Sequence, residues 1–454
     1  MTFFQHFISK IDLCLVFSVL VLIFVGFITI YSATYGSYYK NSLKYISIQL
    51  IAFIIGFVCF LFFVNFDYQY YKNSYKIIYI ISLIILLSVL LFGSIKRGTK
   101  GWFNFSFFYF QPIEITKIMF ILSFASFIDI KSTEIKKMSF FISVAGMIFG
   151  HLLFIMMQPD FSSTLFYLPV SLIFLFIIGV EFFYILCIVI FGILSILVMF
   201  FKIFLDMYFK TFDIRTFCVD IIDFCKTGRN AFYMIFTILF SIFLIWLFLY
   251  KSKFRFPIIY IVILCSTVFF GCIASLHIEN SLRNYQKKRL ITFLNPEIDP
   301  KGFGYNIIQS KIAIGSGKLF GKGLKKGTQT QLGFLPEQHT DFIFSVICEE
   351  GGWIMSQSTL ILYFLMIWRS FVIAKTARDR YGSLVALGLA TMFTFYVIIN
   401  VGMVMGIVPV IGVPLPFVSY GGSSIISSLC AVGILCSING KSVYINKSKI
   451  RIPY

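Results

Sequence analysis

Three carboxylates and one lysine lie inside or at the ends of long apolar runs, where charged residues are uncommon. Glu114 and Lys117 lie inside one apolar run, Asp160 follows a second, and Asp341 directly precedes a third. Ionisable residues in such runs are costly to bury, and they usually pair with each other or line a polar cavity. A carboxylate placed in this way can accept a proton as a general base, and a lysine can neutralise an anion as a point charge.

Each of these positions also has a purely structural interpretation. Glu114 and Lys117 are three residues apart, so on a helix they share one face and can form an ion pair that holds helices together. Asp160 can cap the helix that follows it. Thr340 or Asp341 can likewise cap the next helix and complement its dipole. The residue types alone leave both interpretations open.

The composition indicates that membrane-spanning helices position these residues. Of the 454 residues, 59% are hydrophobic and only 13% are charged. Soluble domains carry about 25% charged residues and disordered chains have low hydrophobicity, so both classes are excluded. The apolar runs are too long for the roughly ten-residue strands of a membrane barrel. We therefore predict an all-α integral membrane protein, a polytopic bundle of about 10–12 transmembrane helices.

The chain is predicted to form a single membrane domain over residues 1–454. The apolar runs that are candidate spans are residues 12–32, 46–64, 75–95, 113–129, 138–157, 161–179, 182–203, 232–250, 256–275, 342–368, 381–404 and 420–438. An even number of spans places both termini on one side, and basic residues cluster in the loops of that side. We predict that both termini are cytoplasmic, which makes residues 276–341 a large extracytoplasmic loop.

Basic residues also occur in the predicted outer segments, among them Lys100, Arg289 and Lys311. The net charge of +19 would indicate nucleic acid in a soluble protein, but in a membrane protein it is typical of cytoplasmic loops and lipid-facing surfaces. No nucleic-acid partner is therefore predicted. The basic outer loop favours an anionic partner such as a phosphate-bearing membrane lipid, and the alternative is a loop of ordinary solvated lysines.

Helix-interrupting residues mark two of the connecting segments. Residues 409–424 contain three prolines and a Gly pair between two predicted spans, so they cannot form a continuous helix. Non-helical backbone at membrane depth persists only against protein or a wet cavity, so we expect this segment to shape a site. The glycine-rich loop 276–341 is too long for a simple connection, which favours a functional role.

Four segments occur together in an order that is typical of one known family. They are Gly98-Thr-Lys-Gly-Trp102 with Gln111-Pro-Ile-Glu-Ile-Thr-Lys117; Gln158-Pro-Asp160; the loop motifs Gly304-Tyr-Asn-Ile-Ile-Gln-Ser310, Ala313-Ile-Gly-Ser-Gly317, Phe334-Leu-Pro-Glu337, His339-Thr-Asp-Phe342 and Glu349-Glu-Gly351; and residues 400–424. In combination they resemble the SEDS family (shape, elongation, division and sporulation). Residues 309–315 are closer to its RodA branch than to its FtsW branch.

The resemblance implies a peptidoglycan glycosyltransferase of the bacterial cytoplasmic membrane. Such an enzyme polymerises lipid II at the outer face during elongation and works with a class B penicillin-binding protein. Joining a sugar hydroxyl to an anomeric carbon releases a lipid pyrophosphate, so the reaction needs a base and positive charge near the leaving group. The essential aspartate of the family falls on Asp341, which makes Asp341 the expected general base.

The other expected site residues form three groups around this aspartate. The cavity wall would consist of Glu114, Lys117 and Asp160, and the candidates to hold pyrophosphate are Lys100, Arg289 and Lys311. His339 would position the loop, and Glu337 would support Asp341 or bind a divalent cation; the alternatives are a solvent-exposed histidine and a rim charge. No metal site follows from the residue spacing, and no other cofactor is predicted.

Residues 182–250 depart from the family pattern because they add apparent spans. Cys218 and Cys225 share one loop there and are either a disulfide or two free thiols. Two other functions stay open beside the polymerase: a transporter that flips lipid-linked precursors, which multiple spans and broken helices also suit, and a non-catalytic scaffold for the penicillin-binding protein.

Overall fold

The computed structural model describes residues 10–35, 42–96, 99–105, 109–135, 137–211, 284–298 and 302–449, with isolated positions between 236 and 271. Eight of the described helices are long and apolar enough to cross a membrane. The prediction of an all-α polytopic membrane protein is therefore confirmed. The predicted spans at 232–250 and 256–275, together with Cys218 and Cys225, lie largely or wholly outside the described residues.

The described helices and strands, in chain order, are α1 (Leu13–Ala33), α2 (Ser42–Asn65), α3 (Gln69–Asn73), α4 (Tyr75–Phe92), β1 (Ser94–Lys96), β2 (Thr99–Asn104), β3 (Tyr109–Phe110), α5 (Ile113–Ile130), α6 (Met138–Met157), α7 (Phe161–Ile177), α8 (Phe182–Thr211), α9 (Asn284–Leu294), α10 (Phe303–Ser316), α11 (Thr328–Gln331), α12 (Ile343–Thr376), α13 (Arg380–Met405) and α14 (Gly422–Lys449). Short 3-10 helices cover Ser132–Glu134 and Pro296–Ile298. The strands form one antiparallel sheet in the order β1-β2-β3. Every predicted span before residue 204 and after residue 341 coincides with one of these helices.

The chain divides into two units, residues 1–178 with 306–454, and residues 179–305. In the first unit, α5, α13 and α14 are buried along most of their lengths. Helix α14 packs along α2, where Gly56 faces Ile426 and Gly433 faces Phe60 so closely that a Cβ atom would crowd the facing backbone. Small residues thus let the two backbones approach, as is typical of membrane helix pairs. In the second unit, α9 packs on α8.

Charged pairs hold the helix ends at one side of the first unit. Asp12 caps α1 by accepting a hydrogen bond from Leu15 N (3.0 Å), and it also forms an ion pair with Arg369 of α12. Lys72 of α3 pairs with Asp129 of α5, with 2.6 Å between Nζ and Oδ2. These contacts tie separate helices together at the side that we predicted to be cytoplasmic.

The predicted loop 276–341 contains regular structure in its described part, namely α9, α10 and α11. Its glycines do not all mark turns. Gly304 and Gly315 lie within α10, whereas Gly321 and Gly323 adopt positive φ angles of 73° and 92°. The sequence pattern did not predict these helices, because glycine is a poor indicator of helix.

Helix α12 breaks at Gly352, whose φ of 65° and ψ of −165° are not helical. The preceding loop bonds the backbone groups on both sides of this break: Lys322 N donates to Glu349 O (3.0 Å), Gly323 N to Glu350 O (3.0 Å), Trp353 N to Lys318 O (2.8 Å) and Ile354 N to Leu319 O (3.2 Å). Backbone groups without partners are costly near a membrane. The loop therefore supplies the hydrogen bonds that the broken helix lacks.

Glycine makes this close approach of loop and helix feasible. A Cβ atom at Gly317 would overlap the carbonyl oxygen of Cys348, and one at Gly321 would overlap that of Glu350. A Cβ atom at Gly352 would likewise overlap the backbone nitrogen of Gly321. All of these obstacles are backbone atoms, so no side-chain adjustment can relieve the overlap.

We predict that Gly317→Ala destabilises the protein by about 1–3 kcal/mol, the usual effect of overpacking. The matched control is Gly315→Ala. A Cβ atom at Gly315 meets nothing within 4 Å. Because that glycine lies within α10, the control should leave the protein unchanged or stabilise it by up to about 1 kcal/mol. Thermal unfolding midpoints of the purified full-length variants measure the difference. Equal midpoints would contradict the close packing.

Candidate functional site

Asp341 is held at the start of α12 by contacts from two other parts of the fold. Asn400 of α13 donates from Nδ2 both to Asp341 O (3.0 Å) and to Val413 O (2.7 Å). The Asp341 carboxylate lies beside Gly412, where an added Cβ atom would be 3.3 Å from Oδ2. Helix α13, α12 and the connecting residues 406–421 therefore meet at this aspartate.

Residues 406–421 are non-helical, as their prolines predicted, and they bind the backbone of the His339–Asp341 motif. Ser419 Oγ donates to Thr340 O (2.6 Å), and Tyr420 N donates to His339 O (2.9 Å). The His339 ring packs against the Tyr420 ring with 5.5 Å between centroids.

The N-terminus of α12 follows directly on the His339–Asp341 motif. Phe342 occupies the N-cap position and no side-chain hydrogen bond caps the helix. Thr340 instead donates from Oγ1 to Glu337 Oε2 (3.0 Å), and Glu337 has a φ of 54°. The Thr340 side chain is thus bonded to the preceding loop.

The Glu114–Lys117 pair is a buried ion pair near the start of α5. Lys117 Nζ lies 2.7 Å from Glu114 Oε1 and donates to the Tyr396 hydroxyl at 2.6 Å. Both charged residues are buried, at 7% and 2% exposure. Tyr396 and Asn400 are four residues apart on α13, so they share one face of that helix. The ion pair therefore lies about one helical turn along α13 from the contact that anchors Asp341.

Asp160 is the N-cap of α7 and also contacts the segment before α5. Its carboxylate accepts from Ser163 N (3.1 Å), Ser163 Oγ (2.9 Å) and Ser162 Oγ (2.6 Å). Gln111 Nε2 donates to it at 3.2 Å, and Gln111 N donates to Ser423 Oγ at 2.7 Å. The capping role is therefore present in the structure, at a point where α5, α7 and α14 come together.

The three basic candidates lie in different places. Lys100 is on β2, where its ammonium is 3.5 Å from Leu91 O. Lys311 is exposed on α10 and its side chain ends at Gly406, close to the end of α13. Ser310 fixes α10 there by donating to Val404 O (2.7 Å). Arg289 lies on α9 in the other unit.

Glu349 and Glu350 are structural carboxylates whose role the sequence did not reveal. Glu349 is completely buried and accepts hydrogen bonds from Lys322 Nζ (2.9 Å), Thr328 Oγ1 (3.2 Å), Gln329 N (2.9 Å), Thr330 N (3.0 Å) and Thr330 Oγ1 (2.7 Å). Glu350 accepts from Ser32 Oγ (2.5 Å) and Gln331 Nε2 (3.2 Å). Together they fasten residues 322–331, which lead to Asp341, onto α12 and α1.

Within the described part of the chain, no group of three or more His, Cys, Asp or Glu side chains is arranged to hold a metal ion. The carboxylates near the site have protein partners: Glu337 binds Thr340, and Asp160 binds the serines of α7.

We predict that Glu349→Gln destabilises the protein by roughly 3 kcal/mol, because it leaves Lys322 without its carboxylate and places an amide NH₂ among donors. Residues 322–331 should then exchange their amide hydrogens faster.

The control is Glu134→Gln, at a surface carboxylate whose pKa is lowered by its hydrogen bond to Lys131. This change should leave the amide exchange of residues 322–331 unchanged. Hydrogen exchange read by mass spectrometry measures both. Unchanged protection in Glu349→Gln would contradict the role of the buried carboxylate.

A family model described as "Cell cycle protein" and named for FtsW, RodA and SpoVE matches residues 12–228 and 231–444. The peptidoglycan glycosyltransferase RodA of Treponema pallidum is 32% identical over 96% of this chain and 99% of its own length. The peptidoglycan glycosyltransferase MrdB of Escherichia coli is 34% identical over 83% of this chain and 81% of its own length. Stage V sporulation protein E of Bacillus subtilis is 30% identical over 95% and 98%, respectively.

Solved structures share the fold. RodA of Thermus thermophilus superposes with a TM-score of 0.57 at 21% identity, over 94% of this chain and 96% of that chain. A chain from a peptidoglycan synthase complex, described as coordinating polymerization and crosslinking, superposes with a TM-score of 0.64 at 21% identity, over 95% and 98%. The family match extends over nearly the whole sequence, and it includes every site residue described above. The chain belongs to the FtsW, RodA and SpoVE family of multi-pass membrane proteins.

Proposed function

We propose that this chain is a peptidoglycan glycosyltransferase that polymerises lipid II into glycan strands, with Asp341 as the general base. The observation that carries this proposal is the setting of Asp341. Its backbone is fixed by Asn400 and its carboxylate lies beside Gly412, at the junction of α12, α13 and residues 406–421. Relatives named as peptidoglycan glycosyltransferases, from Treponema pallidum and Escherichia coli, support the reaction class.

In the proposed reaction, the sugar 4-hydroxyl of one lipid-linked saccharide attacks the anomeric carbon of another. The new glycosidic bond forms as the bond to the lipid pyrophosphate breaks, and the hydroxyl proton passes to the Asp341 carboxylate. A single displacement inverts the anomeric carbon, so no covalent enzyme intermediate is required. The base removes the proton and nearby cations stabilise the charge on the pyrophosphate.

The remaining residues are assigned by their surroundings. The Lys117 charge is balanced by Glu114, so the pair suits a polar cavity wall better than a phosphate site. Lys311 is exposed on α10, and its side chain ends next to the C-terminal end of α13. This position suits it to hold pyrophosphate beside the site. Lys100 and Arg289 remain candidates for the same task, and a divalent cation near Glu337 would add to the positive charge. Asp160 and His339 position the surrounding backbone.

We further propose that both termini are cytoplasmic and that Asp341 lies at the outer face. Asp341 is at one end of α12, and Arg369, which pairs with Asp12, is towards the other. A class B penicillin-binding protein is the proposed partner, and the structural likeness to a chain of a peptidoglycan synthase complex supports it. The RodA-like residues 309–315 favour a role in elongation.

We predict that Asp341→Asn abolishes lipid II polymerisation by the purified protein with its cognate penicillin-binding partner, by at least about a hundredfold, the usual range for a general base. The amide keeps the shape of the side chain but accepts no proton. Glycan strands are measured by gel electrophoresis. The control is Glu297→Gln, at an exposed carboxylate of the second unit, which should retain the wild-type rate.

Folding and partner binding of Asp341→Asn are checked by thermal unfolding and co-purification. Equal activity of the wild type and a folded, partnered Asp341→Asn would show that the base is elsewhere. If neither protein makes strands while the complex is intact, the polymerase assignment fails. Flipping of lipid-linked precursors would then test the transporter, and partner recruitment would test the scaffold.

We also predict that Lys117→Met and Glu114→Gln each destabilise the protein more than the double variant does. Each single change leaves a buried charge without its partner, which costs about 3–5 kcal/mol, whereas the double change removes both charges. Chemical unfolding of all four proteins gives the coupling energy. The same double-mutant cycle at the partly exposed Lys72–Asp129 pair should give a coupling energy of about 1 kcal/mol or less.

The activity of the double variant separates the two interpretations of the pair. A folded Glu114→Gln/Lys117→Met protein without polymerase activity supports the cavity role. A folded double variant with wild-type activity would show that the reaction needs neither charge and that the pair contributes to stability alone.

A further inference from the structure

We propose that residues 318–326, Lys318-Leu-Phe-Gly-Lys-Gly-Leu-Lys-Lys326, are a membrane anchor. In this proposal the anchor inserts its apolar side chains into the interface of the leaflet nearest Asp341, and its lysines bind the headgroups of anionic phospholipids. The proposed occupant of this surface is thus the bilayer itself. Insertion does not depend on the proposed function, whereas its consequence for catalysis does.

The anchor lies at the level where the helices leave the membrane. The part of α12 after the break, from Trp353 to Thr376, is about 36 Å long, slightly more than the hydrocarbon thickness of a bilayer. Lys318 O and Leu319 O bond the first two amides of this part, Trp353 N and Ile354 N. Trp353 is 58% exposed, and tryptophan is enriched at the interface between membrane and water.

A second helix places the anchor at the same level. Lys325 Nζ lies 4.3 Å from the Tyr31 ring centroid and 4.0 Å from that of Tyr35. These tyrosines are at the end of α1 that is opposite to its Asp12 cap. Tyrosine rings are typical of the interfacial belt, so two independent helix ends place residues 318–326 at one membrane boundary.

The anchor presents apolar side chains that no other part of the described protein covers. Phe320 is 79% exposed, Leu319 59% and Leu324 53%. Their positions are fixed by the backbone, because Lys322 and Gly323 bond the carbonyls of Glu349 and Glu350. A segment held so firmly cannot turn these side chains inwards.

The charge around these side chains matches an anionic surface. Residues 311–336 contain five lysines and no Asp or Glu. Lys322 is paired with Glu349 and Lys325 is held against two tyrosines, but Lys318 and Lys326 are exposed at the two ends of the anchor. Exposed apolar residues flanked by lysines are typical of segments that lie in the interface of anionic membranes. If the proposed function holds, the anchor keeps the loop that carries Asp341 at the depth of a lipid-linked substrate.

The test uses full-length Phe320→Trp in nanodiscs, compared with the wild type. Phe320 is exposed, so tryptophan fits without repacking, and the native tryptophans are the same in both proteins. The difference in emission therefore reports position 320. Its quenchers are aqueous acrylamide and phospholipids with bromine on the acyl chain. We expect blue-shifted difference emission that brominated lipid quenches and acrylamide quenches weakly, with stronger quenching by bromine near the headgroup than near the terminal methyl.

Two results would overturn the proposal. Emission typical of water, quenched by acrylamide but not by brominated lipid, would show that the segment is solvated. Blue-shifted emission that neither agent quenches would show that protein, such as a second copy of the chain, covers the surface.

The headgroup preference is tested in mixed nanodiscs with Phe320→Trp. At equal mole fraction, brominated phosphatidylglycerol should quench the difference emission about twofold more than brominated phosphatidylcholine, because basic residues enrich anionic lipid nearby. Adding Lys318→Gln and Lys326→Gln should make the two lipids equivalent. Equal quenching by both lipids before these lysines are changed would contradict recognition of anionic headgroups.

Discussion

The break of α12 at Gly352 is the constraint on which the site depends. A helix interrupted next to the membrane leaves carbonyl and amide groups that must find partners, and residues 318–323 supply them. Glycines at 317 and 321 permit the approach, and the buried carboxylate of Glu349 binds the residues that follow. The hydrogen bonds at the break in α12 therefore fix the path of the chain from α10 to Asp341.

Helix α13 couples the parts of the site that face the bundle. Tyr396 contacts the buried Glu114–Lys117 pair, and Asn400, one turn away, holds the backbone of Asp341. A shift of α13 would therefore move both. This arrangement gives a physical reason for a buried charged pair in an apolar bundle, since Lys117 bonds the helix that holds the backbone of the proposed base.

Local signals were sufficient for much of the fold. Apolar runs of adequate length predicted the described spans, the three-residue spacing predicted a shared face for Glu114 and Lys117, and the prolines at 409, 414 and 416 predicted a non-helical segment. The hydrogen bonds between residues 318–323 and the break at Gly352 could not be predicted in this way. The hydrogen-bond partners are backbone atoms about thirty residues apart, and the glycines that permit their approach do not reveal which segments meet. Asn400 lies in a segment typical of the family, but its role follows only from its two carbonyl partners.

The most direct test of the account is an experimental structure of the full chain with its penicillin-binding partner, a lipid-linked donor that cannot react and a saccharide acceptor. The measured quantity is the distance from the Asp341 carboxylate to the acceptor hydroxyl. The account predicts about 3 Å, or one bridging water, with the donor pyrophosphate near basic side chains. An acceptor bound elsewhere, with another titratable group beside its hydroxyl, would contradict the role of Asp341.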